Sequence, residues 1–178
     1  ISNKSHKYFY PKQKIHLENV SFTYPGKKES ALTDLNISIP ANSVVGIVGP
    51  SGSGKSTFID VLLGLIKPDQ GQLKVDGTVI NKKNLRAWQN SIGFVAQNIF
   101  LSEGTFAENV AFGISTKEIN LQKVQKALEL ASLSDFIKTL EDGMHTKVGE
   151  RGVQLSGGQR QRVGIARALY HDAEVLVF

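Results

Sequence analysis

Gly49 to Ser56 fits G-x-x-x-x-G-K-[ST] at every fixed position, a spacing that suits polyphosphate chemistry. Glycines at 49, 52 and 54 let the backbone bend so that successive N–H groups point inward at an anion. Gly49, Ser51, Gly52, Ser53 and Gly54 would form that cradle, and Lys55, Ser56 and Thr57 would open the helix that follows. The Lys55 ammonium would reach the β and γ phosphates, and the Ser56 hydroxyl would offer an oxygen ligand to magnesium. A helix N-terminus aimed at the same point adds about half a positive charge.

Such a loop works only between a strand that fixes its start and a helix that fixes its end. Val44 to Val48 is an apolar run whose composition predicts a buried strand, and it leads straight into Gly49. Phe58, Leu62 and Leu65, with Ile59, Leu63 and Ile66, have helical spacing over Ser56 to Leu65. Before the loop, short alternating stretches from Ile15 to Pro40, broken at Pro25 to Lys28, predict a small antiparallel sheet. Gly71 to Ile80 returns as alternating strand around an Asp76-Gly77 turn, and Ser91 to Ala96 reads as another strand. From Ser115 to Leu140 the apolar period changes to three and four, and Ser115 with Glu118 matches a capping box. Gly143 marks the stop of that helical insert. After the glycine-rich stretch from Gly149 to Gly158, a helix carrying Val163, Ala166 and Leu169 precedes a terminal strand, Val175 to Phe178.

The chain has 178 residues, 40% apolar and 21% charged, which fits one globular domain and excludes a disordered or collagenous chain. With no cysteine there is no disulfide framework or thiolate metal site, and His6, His16, His145 and His171 lie too far apart for a zinc-type pair, so a metal here takes oxygen ligands. No run approaches the ~18 apolar residues needed to span a bilayer. The start carries no apolar signal segment, which makes the cytosol the default. A first residue of Ile1, a sole methionine at Met144 and a strand running to Phe178 without a turn residue predict a fragment of a longer protein. The net charge of +5 raises the question of a polyanion partner. The lysines are dispersed as on a solvated surface, while Arg151, Arg160, Arg162 and Arg167 gather near the second glycine motif.

That motif is Leu155, Ser156, Gly157, Gly158, Gln159, with Ser156 placed to cap a helix. Two phosphate cradles in one small chain are redundant unless they serve one nucleotide from two molecules. With LSGGQ following the phosphate loop, the sequence resembles the nucleotide-binding domain of ATP-binding cassette (ABC) transporters from about Ile15 onward. The resemblance implies an α/β fold. It would comprise a P-loop NTPase core, an antiparallel β subdomain and a helical subdomain at about 99–155, with 1–14 a linker or arm and the domain, 15–178, truncated.

It implies further roles residue by residue. Tyr24 matches the aromatic that stacks on adenine, with a core sheet aromatic as the other reading. Gln97 matches the glutamine that approaches magnesium and the attacking water, a catalytic role shared with Lys55. Ser156, Gly157, Gly158 and Gln159 match the signature that meets the γ-phosphate held by a second copy, head to tail. Arg160 and Arg162 fall on the signature helix, where a solvated face and a direct role both stand. Thr146 to Gly152 resembles the segment before the signature in exporters, with Glu150 near the transmembrane domain's coupling helices and Lys147 departing from the usual glutamate. Gly104, Thr105, Glu108, Asn109, Phe112 and Gly113 also follow the exporter pattern. Ile59 to Leu65, with Trp88, Gln89 and Ala111 to Gly113, resembles flippases of lipid-linked oligosaccharides or polysaccharides. The Walker B carboxylates, D-loop and switch histidine of the family would lie beyond Phe178.

The implied function is MgATP binding as the motor of an exporter on the cytoplasmic face of a membrane, the inner membrane in a bacterium, with ATP hydrolysis in the parent protein and little in this fragment. Partners would be the transmembrane domain, met through the Gln97 loop and the Glu150 segment, and a second copy of the domain, with no nucleic acid. A soluble ABC ATPase acting on nucleic acid is a rival, but the interval from Gln97 to Leu155 holds a compact helical subdomain and no long coiled coil. An importer ATPase is the other rival, against which the TKVGERG segment speaks.

Overall fold

The computed structural model describes residues 8–149 and 152–178, so the arm up to residue 7 and the Glu150 and Arg151 positions lie outside the described residues. The chain divides between Ser91 and Ile92 into two compact units.

In the first unit β1 (Lys14–Phe22) pairs antiparallel with β2 (Leu32–Pro40) on one side and β3 (Gln70–Val75) on the other. β4 (Thr78–Val79) follows, for a strand order β2-β1-β3-β4. Period-two alternation explains the register: Ile15 lies opposite Val75 and Leu17 opposite Leu73, and all four are buried. Each such side chain contributes about 1.5–3 kcal/mol on burial. The outward residues pair with one another, Lys74 Nζ 2.8 Å from Glu18 Oε2 and Gln72 Nε2 donating to the same oxygen at 2.7 Å. The hydrogen bonds from Lys74 and Gln72 hold the Glu18 carboxyl below its usual range.

The Asp76-Gly77 turn does more than reverse the chain. The Asp76 carboxylate accepts backbone N–H groups from Lys12, Gln13 and Lys14 at 2.6, 2.8 and 2.9 Å, clamping the residues that lead into β1. Burial alone would raise its pKa, but these N–H donors outweigh it and lower it. A lowered folded value means the clamp is intact above the ordinary aspartate pKa of about 3.9 and is lost as pH falls through the folded value. Amide exchange at Lys12 to Lys14 should therefore accelerate beyond its intrinsic pH trend only below pH ~4. Asp76→Asn should remove that acid step, and an unchanged acid step in the variant would refute the clamp.

α1 (Lys55–Leu62) is the helix that the loop opens. It stops before the expected Leu65, because Gly64 turns the chain at φ +67°. The apolar run Val44 to Val48 departs from expectation: it forms no strand, and Val44 and Val48 are 100% and 93% exposed. A strand buried on both faces needs ladder partners on both sides, and this run pairs with none of the described strands.

In the second unit β5 (Ile92–Phe94) pairs parallel with β8 (Val175–Val177), and β6 (Gly104–Thr105) antiparallel with β7 (Lys147–Val148). α3 (Phe106–Val110), α4 (Leu121–Leu130), α5 (Ser134–Lys138) and α6 (Gly157–Tyr170) enclose a core that includes Phe106, Val110, Val124, Leu128, Leu133 and Val163. The capping box expected at Ser115 and Glu118 does not form. Thr116–Glu118 tightens into a 3-10 turn, Ile119 then extends, and Asn120 caps α4 by accepting the Lys123 N–H at 3.0 Å. The helical insert breaks after α4 at Ser132 (φ +56°). α5 ends before Gly143, which opens a further 3-10 turn. The architecture is α/β, an antiparallel sheet with α1 and α2 (Leu85–Asn90) in one unit and helices with short strands in the other.

Candidate nucleotide-binding site

Gly54 is the N-cap of α1 in the left-handed region, φ +85°. A Cβ there would run into the Ala31 carbonyl oxygen, so both conformation and space require glycine. Ser53 N–H donates to the Pro50 carbonyl at 3.3 Å and tightens the loop. The Lys55 ammonium folds over it, donating to the Gly49 and Pro50 carbonyls at 2.7 Å each and lying 3.5 Å from Ser53 Oγ. Gly49, Ser51, Gly52, Ser53 and Ser56 are all exposed, so backbone N–H groups, an ammonium and a free hydroxyl lie on one accessible loop. That donor set fits a polyphosphate with its magnesium: N–H and ammonium for the anion, a hydroxyl oxygen for the cation.

Thr57, unlike Ser56, has a buried side chain. Its hydroxyl shares a 3.2 Å hydrogen bond with the Tyr24 hydroxyl. Tyr24 is 38% exposed and meets Phe22 edge-on at 4.9 Å between ring centroids. The tyrosine is therefore outside the core of the sheet, with part of its ring accessible.

In the second unit Ser156 caps α6: its Oγ accepts the Gln159 N–H at 3.2 Å, and Gln159 Oε1 accepts the Ser156 N–H at 2.9 Å. This reciprocal box assigns Gln159 to building the helix start and leaves Ser156, Gly157 and Gly158 exposed at its tip. Gln97 is exposed in a bend just beyond β5.

The arginines of this helix tie loops to it. Arg160 Nε donates to the Leu155 carbonyl and Arg162 Nη1 to that of Ser132, both at 3.2 Å. Arg167 donates from Nε to the Asn109 carbonyl at 2.9 Å and from Nη2 to the Phe100 carbonyl at 3.1 Å, with its guanidinium 4.6 Å from the Phe112 ring centroid. Burial lowers its pKa, though an arginine stays charged at any ordinary pH. Asn109, fully buried, accepts from Ser102 N–H at 3.0 Å and donates to the Ser102 and Thr105 carbonyls at 3.0 Å each. Together Arg167 and Asn109 fix the stretch after Gln97, whose Phe100 stands 70% exposed. Motif spacing flagged Asn109 only as part of a pattern and left Arg167 without a role, since their partners are mostly backbone carbonyls.

The phosphate loop on its helix and the capped LSGGQ helix, in that order along one chain, are the defining parts of one class of protein. The chain belongs to the ABC transporter family, whose model matches residues 32–178. Among its relatives is an ATP-dependent lipid A-core flippase of Cupriavidus pinatubonensis, 43% identical over 90% of this chain and 27% of the relative. The protein of that name from Salmonella typhimurium is 40% identical over 92% of this chain and 28% of the relative. This chain therefore spans little more than a quarter of each. A solved structure of a bacterial Atm1-family ABC exporter with ATP bound superposes with a TM-score of 0.81 at 33% identity, over 99% of this chain and 30% of that one. Among the described residues no helix is long and apolar enough to cross a membrane.

Proposed function

We propose that this chain binds MgATP and serves as the motor domain of an exporter on the cytoplasmic face of a membrane, moving a lipid-linked sugar. The observation that carries the reading is the loop from Gly49 to Ser56, with the Lys55 ammonium poised on its own carbonyls at the start of α1. On binding, Lys55 exchanges those carbonyls for β and γ phosphate oxygens, while backbone N–H groups of the glycine loop turn toward the polyphosphate. The Ser56 hydroxyl would hold magnesium, with Gln97 as a further oxygen ligand by the family resemblance, and the ion would supply charge neutralisation on the transferring phosphoryl group. Gln97 orients the attacking water. Tyr24 offers its ring to adenine, and its hydroxyl bond to Thr57 sets the ring's place relative to α1.

Ser156, Gly157 and Gly158 of a second copy, arranged head to tail, close the γ-phosphate from the other side with a helix N-terminus and a hydroxyl. Coupling to a transmembrane domain would pass through the stretch after Gln97. There Ile99, Phe100, Leu101, Val153, Leu155 and Arg160 line a recess of about 400 Å³. The names of the two flippases support a lipid-linked substrate, and the Atm1-family likeness supports an exporter.

Liposomes holding the longer transporter that contains this domain provide the test, with a fluorescent polyprenyl-diphosphate oligosaccharide or lipid A in one leaflet. ATP-dependent movement of either probe, absent with a non-hydrolysable analogue, is the expected result. Steady ATP turnover with neither lipid moved would overturn the substrate class.

A further inference from the structure

Trp88 is the one tryptophan of the sequence and is wholly buried. Its place becomes clear from the carbonyls at the end of α1, which a helix cannot satisfy for itself. The Ile59 carbonyl receives Leu63 N–H at 2.8 Å, Asp60 receives Leu65 N–H at 2.8 Å, and Val61 receives Gly64 N–H at 3.0 Å. The Leu62 carbonyl is met by a side chain: Trp88 Nε1 donates to it at 2.8 Å, 26 residues away in sequence. Gln89 Nε2 adds a longer contact to the Leu63 carbonyl at 3.4 Å. α2 can come this close because a Cβ on Gly64 would strike Leu85 Cδ1.

At the other end of α1 the first turn is held by side chains and by no cap: Lys55 Nζ donates to the Gly49 and Pro50 carbonyls, and the buried Thr57 shares its hydroxyl bond with Tyr24. Gly54 gives no side-chain cap, and the helix has no acidic residue in its first turn or basic residue in its last. At eight residues it is about 12 Å long and too short to be stable alone. Its register therefore depends on the burial of Thr57, Phe58, Val61 and Leu62, on those first-turn bonds and on the bonds at its C-terminal end.

We propose that Trp88 is a positioning residue for the phosphate loop: its indole N–H closes the last open carbonyl of α1 and so fixes where the helix presents Lys55 and Ser56. This rests on the reading of Gly49 to Ser56 as a nucleotide site. A tryptophan that only fills the core would act through shape, whereas this role belongs to the N–H.

With a single tryptophan, the two can be separated by biosynthetic replacement with β-(3-benzothienyl)alanine, which keeps the bicyclic shape and carries sulfur in place of N–H. In the 178-residue chain without nucleotide, amide exchange over Lys55 to Leu62 should accelerate about tenfold, while β1, β2 and β3 keep their protection. Calorimetric titration should then show MgATP affinity reduced roughly three- to tenfold. Trp88→Phe, which also lacks the donor, should reproduce the local effect. Exchange in α1 unchanged by the isostere, or raised equally through β1 to β3, would overturn the proposal. Because the exchange measurement uses no nucleotide, an unmodified chain that failed to bind ATP would count against the nucleotide site and leave the positioning question to the exchange result.

Discussion

Lys55→Ala is expected to weaken MgATP binding about ten- to a hundredfold, the loss of one charge-assisted contact of roughly 1.5–3 kcal/mol. The alternative, a surface lysine beside a glycine-rich turn, predicts no change. The geometry favours the first because the ammonium lies over the loop, 2.7 Å from two of its carbonyls, and does not extend into solvent. Those bonds also brace the loop, so part of the loss would come from a less ordered cradle. Calorimetry on wild type and variant decides it, and equal affinities would remove the loop from the nucleotide site. In the same titration Tyr24→Ala should cost about 1–3 kcal/mol if the ring stacks on the base. Tyr24→Phe should lose only the hydroxyl bond to Thr57, about 1 kcal/mol or less. Equal losses from the two substitutions would mean that the hydroxyl, and not the ring, carries the contact.

The second large effect lies in the other unit. Asn109→Ala should lower its stability by about 2–4 kcal/mol, because truncation strands the Ser102 N–H and C=O that the buried amide now satisfies. For a unit of this size each kcal/mol shifts the melting midpoint by about 4–8 °C, so a fall of roughly 10 °C or more should be seen by circular dichroism. A shift of a degree or two would mean that water or a relaxed backbone replaces the amide. The consequence reaches function because Ser102 follows Gln97 and Phe100 along the stretch that Arg167 also grips. A loosened stretch would present Gln97 and the exposed Phe100 less uniformly.

The phosphate loop was legible as a loop opening a helix, and the LSGGQ segment as a capped helix start, because each depends on residues within a few positions of one another. Glycines that permit a left-handed turn and a serine placed to cap act locally, and residue type is enough to reveal them, whereas the capping bond of Gln159 emerged only in the structure. The alternation that buries Leu17 and Leu73 on one face of the sheet is equally local. Where a local signal had two meanings, the surroundings chose between them. Val44 to Val48 has the composition of a buried strand, yet composition cannot supply the neighbouring strands that would bury it. Ser115 and Glu118 have the spacing of a capping box, but Ile119 extends just where a helix would have to continue.

The amino-acid sequence by itself determined the family, the two glycine motifs and the faces of the strands. Only the tertiary structure decided what holds those parts in place. Asp76 grips Lys12 N–H across 64 residues, Arg167 grips the Phe100 carbonyl across 67, and Trp88 closes the Leu62 carbonyl across 26. In each of these bonds one partner is a backbone N–H or C=O, a group that nearly every residue carries. Such a partner leaves no mark in the residue types, and folding alone selects it by bringing one particular N–H or carbonyl within reach.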